Sequence, residues 1–474
     1  MIAEAGTMAV LTLAGLGLLS WLPGPLPGPA RVALAVPTGG GVYLVVALVM
    51  LTLGGSLDAL TALAVALLPG LIGVGIALVR RPMETSRLLA VTIAAALVAV
   101  VITRVVHLTR LTPDSLRYLL AANDLVLPDG IREMNRADLL NRQVGLPALQ
   151  ALHHLSDRRY LASLAPAYGL SGLSFFAWLG WRMTQGWARR PRLLLVGGAV
   201  LFLGGSNRLV YDSFYINTHI QVATYLLVAV AGTWLAWREN CASWALPAGI
   251  GLAATLLLRP ESPLVTAIFL VAIAVTPVAR SVRALVVIPV LVVGWLWYGI
   301  ILWNLASRGN VISLTSPVFG SLAALVLASL AVWGGSVARW QPLFRHFDKL
   351  LYLGLVGLLV FLGRDQIEVL TTSVEATAVN LAYQGMWLLT WPVTLGLLAV
   401  AMLLPRPPGA RLWTVPIAGF SLLYWLLPLL REGAYRIGVG DSGNRLVAHI
   451  FPVMVGFLLL MAVHGRLPHP PERG

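Results

Sequence analysis

Residues Leu88–Asp124 read LLAVTIAAALVAVVITRVVHLTRLTPDSLRYLLAAND. The first half, to about Val106, carries a single charge, Arg104. The chain then turns abruptly polar, and Asp114 is the first acidic residue after Glu84, with Arg117 and Tyr118 within one helical turn of it. A run of roughly 18 or more apolar residues is long enough to cross a bilayer as a helix. A carboxylate directly behind such a run is a polar group placed at the edge of an apolar one.

The rest of the chain repeats the apolar half of this pattern. Of its 474 residues 58% are hydrophobic and 11% charged, and the mean hydropathy is +0.84. A soluble fold needs far more charge to cover its surface. The composition therefore gives an all-α, polytopic integral membrane protein, and no polar stretch is long enough to form a separate soluble domain. About fifteen spans are expected, centred near residues 15, 47, 68, 98, 172, 200, 228, 251, 271, 293, 325, 357, 395, 421 and 455. The second and third of these read as short, with the character of re-entrant segments. Met8–Leu22 lacks a basic leader and reads as a retained helix.

Charge divides the loops into two sets. The net charge is +14, and Lys349 is the only lysine. A basic balance of this kind suits anionic head groups or phosphates, although a GC-rich genome would also account for basic residues that are almost all arginine. Arg80, Arg81 and Arg87, Arg182 to Arg192, Arg238, Arg280 and Arg283, Arg339 to Lys349, Arg406 and Arg411, and Arg466 and Arg473 fall in alternate loops, which should be cytoplasmic. The opposite loops hold nearly all the acids, among them Asp114, Asp212, Glu261, Asp365 and Asp441. These expected outward loops also carry aromatics and amides at short spacing, so the working face is expected there.

Within the longest outward segment, about residues 109–161, two stretches have helical spacing. DSLRYLLAAN is one; ADLLNRQVGLPALQALHHL is the other, with Asp138 as its cap and Pro147 as a break. Both suit amphipathic helices at a membrane interface. There is no tandem repeat, and GVGDSG lacks the strand that a dinucleotide loop requires. The single cysteine, Cys241, rules out an internal disulfide. His107 and the pair His153–His154 lack metal-ligand spacing. No metal or cofactor is assigned.

Four clusters could carry chemistry. Asp114 can act as a general base on a hydroxyl at the membrane surface, or simply cap the helix that follows it. In LLLRPES, Arg259 is placed to reach a phosphate at head-group depth, or to snorkel and pair with Glu261. In GDSGNRLVAHIFP, Arg445 needs an anionic partner at the membrane boundary, either Asp441 or a ligand phosphate; Asn444 lies beside it. In SNRLVYDSFYINTHIQ, Arg208, Asp212 and His219 lie between two spans and suit either substrate contact or a capped aromatic belt.

This layout resembles the GT-C superfamily of membrane glycosyltransferases. It is most similar to the polyprenyl-phosphate-sugar-dependent members, such as the protein O-mannosyltransferase and lipid A aminoarabinose transferase families. PDSLRYLLAA resembles the acidic residue and following tyrosine that open the family's first large loop, here Asp114 and Tyr118. NRQVGLPALQALHHL is similar to its second interfacial helix, and LLRPES and GDSGNRLVAHIFP to late polar motifs. Two departures stand out: the family's second acid is here Ser115, and about three spans precede the loop rather than one.

The resemblance implies an inner-membrane enzyme that moves a sugar from a polyprenyl-phosphate donor to a glycan, lipid or protein hydroxyl at the outer face, with inversion. Asp114 would be the base. Arg259, Arg445 and Arg436 would hold the donor phosphate, and Tyr118, Arg208, His219, Glu261, Asp441 and Asn444 would bind substrate. It also implies that residues 1–87 are an added helical module, 88–280 the GT-C-like core and 281–474 the C-terminal spans. Lipid is a partner in this reading and nucleic acid is not. The rival classes are a transporter or flippase of a lipid-linked or acidic solute, and a catalytically silent assembly partner with the same fold.

Overall fold

The computed structural model describes residues 2–22, 26–106, 111–134, 139–140, 142–155, 159–308, 317–337 and 340–464. Its regular elements are helical, with no strand among the described residues. Eight helices are long and apolar enough to cross a membrane, or ten if each of two bent pairs forms one span. The protein is thus a membrane-embedded helical bundle.

The expected fifteen spans are not all found as such. Four of the apolar runs form helices shorter than a span, ending at Leu256, Ala274, Gly334 and Leu403. Two others fold sharply: Arg189–Gly204 turns by 62° into Asn207–Ser213, and Phe347–Asp365 by 111° into the segment Ile367–Gln384. The two segments read as short are full-length helices, Gly28–Gly54 and Ala59–Arg80. Hydropathy reports that a residue avoids water; it does not report whether lipid or protein surrounds it. A buried short helix and a span therefore look alike in sequence.

Ile2–Trp21, Gly28–Gly54, Ala59–Arg80 and Pro82–Val106 pack as one group. Gly17 is required where the first and third helices cross: a Cβ there would lie 1.8 Å from the carbonyl oxygen of Gly70. Small residues at such crossings let backbones meet where no hydrophobic force drives helices together in lipid. His219–Arg238 is the axis of the molecule, buried at nearly every position. Leu164–Met183, Ala245–Leu256 and Ser442–Val463 pack around it.

The clusters marked by the acids meet at one end of the bundle. Arg445 reaches Asp114, Arg208 donates to the carbonyl of Val439, and Arg431 pairs with Glu261. Asp365 ends the helix that Asp348 begins, near the Leu429 end of its neighbour. At the opposite end Arg182 pairs with Glu239, and Arg31 with Glu84. Asp138, expected as a cap, and His107 lie outside the described residues. Pro147 does not break a helix; it sits in the first turn of Gly145–Ala151, where its missing N–H costs nothing.

The arginine bias predicts an orientation for this bundle, with the Asp114 end outward, and labelling checks it. In a Cys241→Ser background, Leu127→Cys and Ile437→Cys, both at the Asp114 end, should react with an impermeant maleimide in intact cells. Arg189→Cys and Arg280→Cys should react only after the cells are opened. The reverse pattern would place the Asp114 end in the cytoplasm.

Candidate functional site

The site is assembled around the first turn of the helix Pro113–Leu125. Pro113 at its first position presets the backbone, and the cap is Thr112, whose hydroxyl accepts from the N–H of Ser115. Asp114 is therefore not the cap, and its carboxylate is available for other partners. Thr112 also shares a hydrogen bond with the Tyr215 hydroxyl at 2.7 Å, and Ser115 Oγ donates to the carbonyl of Ile216 at 3.0 Å. These two bonds clip the helix start to the segment leading into His219–Arg238.

Asp114 lies between two arginines. Arg445 Nη1 donates to Oδ2 at 3.1 Å and Arg142 Nη2 to Oδ1 at 3.3 Å. Partial burial pushes the Asp114 carboxyl up, but Arg445 and Arg142 outweigh it and hold it below its ordinary value. The carboxylate is 42% exposed, while Arg445 and Arg142 are 15% and 13% exposed. Arg445 does not pair with the carboxylate of Asp441; its Nε donates instead to that residue's backbone carbonyl. Arg142 also lies over the ring of Tyr118, 5.2 Å from its centroid.

One turn along the same helix, the Tyr118 hydroxyl faces Arg259. Arg259 Nε donates to Glu261 at 2.9 Å, and Arg431 donates to the other oxygen of Glu261 at 3.0 Å. Burial raises the Glu261 carboxyl, yet these two arginines hold it below its ordinary value. Beneath them lies the pair Arg208–Asp212, with both side chains fully buried and joined by two bonds of 3.1 Å. His219 Nδ1 lies 2.8 Å from His449 Nε2, within electrostatic reach of Arg259, Arg445 and Arg208. Among the described residues, the buried atoms His219 Nε2, Asn217 Nδ2, Thr218 Oγ1 and both polar atoms of Gln221 have no hydrogen-bond partner.

The residues singled out from sequence thus fall into two groups. Asp114, Tyr118, Arg259, Glu261, Arg445, Arg208 and His219 come together. Asp441 and Asn444 serve the fold: Asp441 caps the last helix and accepts from the N–H of Arg436, and Asn444 bridges Trp387 and the carbonyl of Gly385. Arg436 is exposed, and among the described residues its guanidinium pairs with no carboxylate. Arg142 and Arg431 were not singled out, although each had a signal. Arg142 is the one charge between Asp138 and Asp157, and Arg431 directly follows an apolar run, as Arg259 does.

Five arginines (142, 208, 259, 431 and 445) face three carboxylates (114, 212 and 261). The surplus is cationic, and the arrangement can hold an anion by paired N–H donors. No three His, Cys, Asp or Glu side chains converge among the described residues. Comparison with protein-family models, curated proteins and solved structures finds no match.

The pair Arg208–Asp212 should act as a structural anchor. Asp212→Asn leaves a fully buried guanidinium without its counter-charge, which typically costs about 3–5 kcal/mol. The detergent-solubilised variant is expected to unfold at a clearly lower temperature than Asp114→Asn, whose site is half open to solvent. Equal thermal stability of the two variants would remove that anchoring role.

Proposed function

We propose that the chain is a membrane glycosyltransferase that takes a sugar from a polyprenyl-phosphate donor and passes it to an acceptor hydroxyl at the outer face. The observation that carries this reading is the Asp114 carboxylate held between Arg445 and Arg142, with Arg259 beside Tyr118 on the next turn. A base, a cationic surplus and an apolar approach are what such a transfer requires. The approach is supported by a cleft of about 190 Å³ on the helix that carries Arg208 and Asp212, lined by Leu173, Leu203, Leu209, Val210, Phe214 and Ile220. Its apolar wall suits a lipid chain, whose attached phosphate would then reach toward the arginines.

In this mechanism the acceptor oxygen attacks the anomeric carbon from the face opposite the phosphate. The C–O bond to the phosphate breaks, and polyprenyl phosphate leaves with the electron pair. The hydroxyl proton passes to Asp114. Arg445 and Arg259 bear the charge that develops on the leaving phosphate. A carboxylate clasped by two arginines is a weak base, so the donor has a second task. Its phosphate competes with Asp114 for the guanidinium groups, and the carboxylate regains basicity as it loses them.

The transport reading receives less support. From His219 a line of buried polar groups runs through Gln221 to Tyr225, whose hydroxyl meets Tyr168 and the carbonyl of Pro37. Beyond it, from Leu226 to Gly232, the axis helix is apolar.

Asp114→Asn should lower transfer by roughly 10²–10⁴ while leaving membrane insertion intact; unchanged transfer would assign the base elsewhere. Arg445→Lys keeps the charge and loses the fork, and should weaken donor use by roughly 1.5–3 kcal/mol, read as kcat/KM.

The pH profile gives a further check. Because Arg445 and Arg142 lower the Asp114 carboxyl in the free protein, the acid limb of kcat/KM should lie below the ordinary carboxylate range. In Arg445→Gln, where one cation is removed, it should move to higher pH. If donor binding releases Asp114, the acid limb of kcat should lie above that of kcat/KM in the unaltered protein. Coincident limbs would sink the release step.

A further inference from the structure

At the other end of the bundle is a cavity of about 640 Å³ that the proposed reaction does not use. Its wall brings together Arg283, Arg345, His346 and Arg411. They arrive from separate places: Arg283 from the helix Arg280–Ser307, Arg345 and His346 from the lead into Phe347–Asp365, and Arg411 from the start of Arg411–Leu430.

Arg283 is the unusual member. It is 2% exposed, and its guanidinium donates to the carbonyls of Val278, Val332 and Thr276 at 3.2, 2.6 and 3.0 Å. Three carbonyls satisfy its N–H groups but bring no negative charge, and a buried cation without a counter-ion is costly. The acid close to this cavity, Asp348, stands 4.0 Å from Arg411. Arg411 also donates to the carbonyl of Arg345 at 3.0 Å, which ties two walls of the cavity together. Among the described residues neither Arg283 nor Arg345 pairs with a carboxylate. Among the described residues three arginines thus stand around an open space, and Arg411 alone has a carboxylate close by.

Two helices fix where this space lies. Arg280–Ser307 runs from Arg283 to Asn304, whose amide donates to the carbonyl of Ile131 just past the helix that carries Asp114. At 1.5 Å per residue that distance is roughly 30 Å. Arg411–Leu430 likewise runs from the cavity to Arg431 at Glu261. The cavity and the Asp114 cluster therefore sit at the two boundaries of a slab as thick as the hydrocarbon core, which is about 30 Å.

We propose that this cavity is a second anion site, for a phosphate group presented at the leaflet opposite Asp114. Arg345 and Arg411 supply paired donors at its mouth, and Arg283 supplies the uncompensated charge at its back. The phosphate can come from the head group of an anionic phospholipid or from soluble phosphate, and the two sources are separable.

The test uses the full chain in neutral detergent, with short-chain phosphatidylglycerol and inorganic phosphate as probes and native mass spectrometry as the readout. Saturable binding of phosphatidylglycerol alone identifies a lipid head group. Saturable binding of inorganic phosphate that competes with the lipid identifies the phosphate itself as the determinant. In either case Arg345→Gln should weaken binding about tenfold, while Arg445→Gln at the far end should leave a bound anion in place. Arg345 serves because its side chain is exposed and the fold does not lean on it, whereas Arg283→Gln tests the same site at the risk of misfolding. The proposal is overturned by no saturable binding of either probe, by binding unchanged in Arg345→Gln, or by binding lost in Arg445→Gln and kept in Arg345→Gln.

Discussion

A guanidinium cannot shed its charge, and at the Asp114 end of the bundle each buried or half-buried one is met by an anion. Much of the Asp114 end follows from that constraint. Asp114 answers Arg142 and Arg445, Glu261 answers Arg259 and Arg431, and Asp212 answers Arg208. Two of these carboxylates are each shared by two arginines, and sharing is what leaves the end cationic. The pairs are not equivalent. Arg208–Asp212 is closed off from solvent and fixes the base of the cluster, while Asp114 is half open and can exchange its partners.

Short helices explain how the arginines come to be sunk at all. Ala245–Leu256 and Ser262–Ala274 form a hairpin whose turn carries Arg259 and Glu261. Thirteen residues rise only about 20 Å, roughly 10 Å short of the hydrocarbon core. The neighbouring Arg280–Ser307, with 28 residues, exceeds it. The hairpin turn is buried within the bundle, and Gly145–Ala151 is tied across it by the N–H of Gly145 on the carbonyl of Leu257. Arg259 and Glu261 of the polar cluster sit on that buried turn. The same feature makes a simple count of apolar runs misleading: the runs near residues 251 and 271 are as apolar as spans, but they are buried in protein.

What the sequence made legible followed from scarcity. In a chain with 11% charged residues, each charge next to an apolar run stands out. Asp114, Arg259 and Arg445 were visible for that reason, as were the membrane class and the segregation of acids to one end. The pairing was not visible. Asp114 and Arg445 are separated by 331 positions, and nothing local at either residue specifies the other. Asp441 shows the converse. Four residues before Arg445, it is one of the two anions the sequence offers that arginine, but its carboxylate is taken up by the N–H groups of Asn444 and Arg436. Capping a helix in an apolar setting is a strong local claim on a carboxylate, and here it wins over the nearer charge pair. Arg445 is thereby left to seek its anion across the bundle.

That displacement gives the site its capacity for change. Had Arg445 paired with Asp441 within its own helix, the pair would be a fixed local contact, indifferent to anything bound nearby. Paired instead with a half-exposed carboxylate on another helix, its bond can be traded for one to a ligand with little rearrangement of either backbone. A phosphate is the stronger bidder, because it offers more oxygen acceptors to the planar fork than a carboxylate already shared with Arg142. Under the proposed function the trade also has a direction: each guanidinium drawn toward the phosphate would remove charge that holds the Asp114 carboxyl low. In the proposed mechanism binding of an anion and activation of the carboxylate are then one event, with Arg445 common to both.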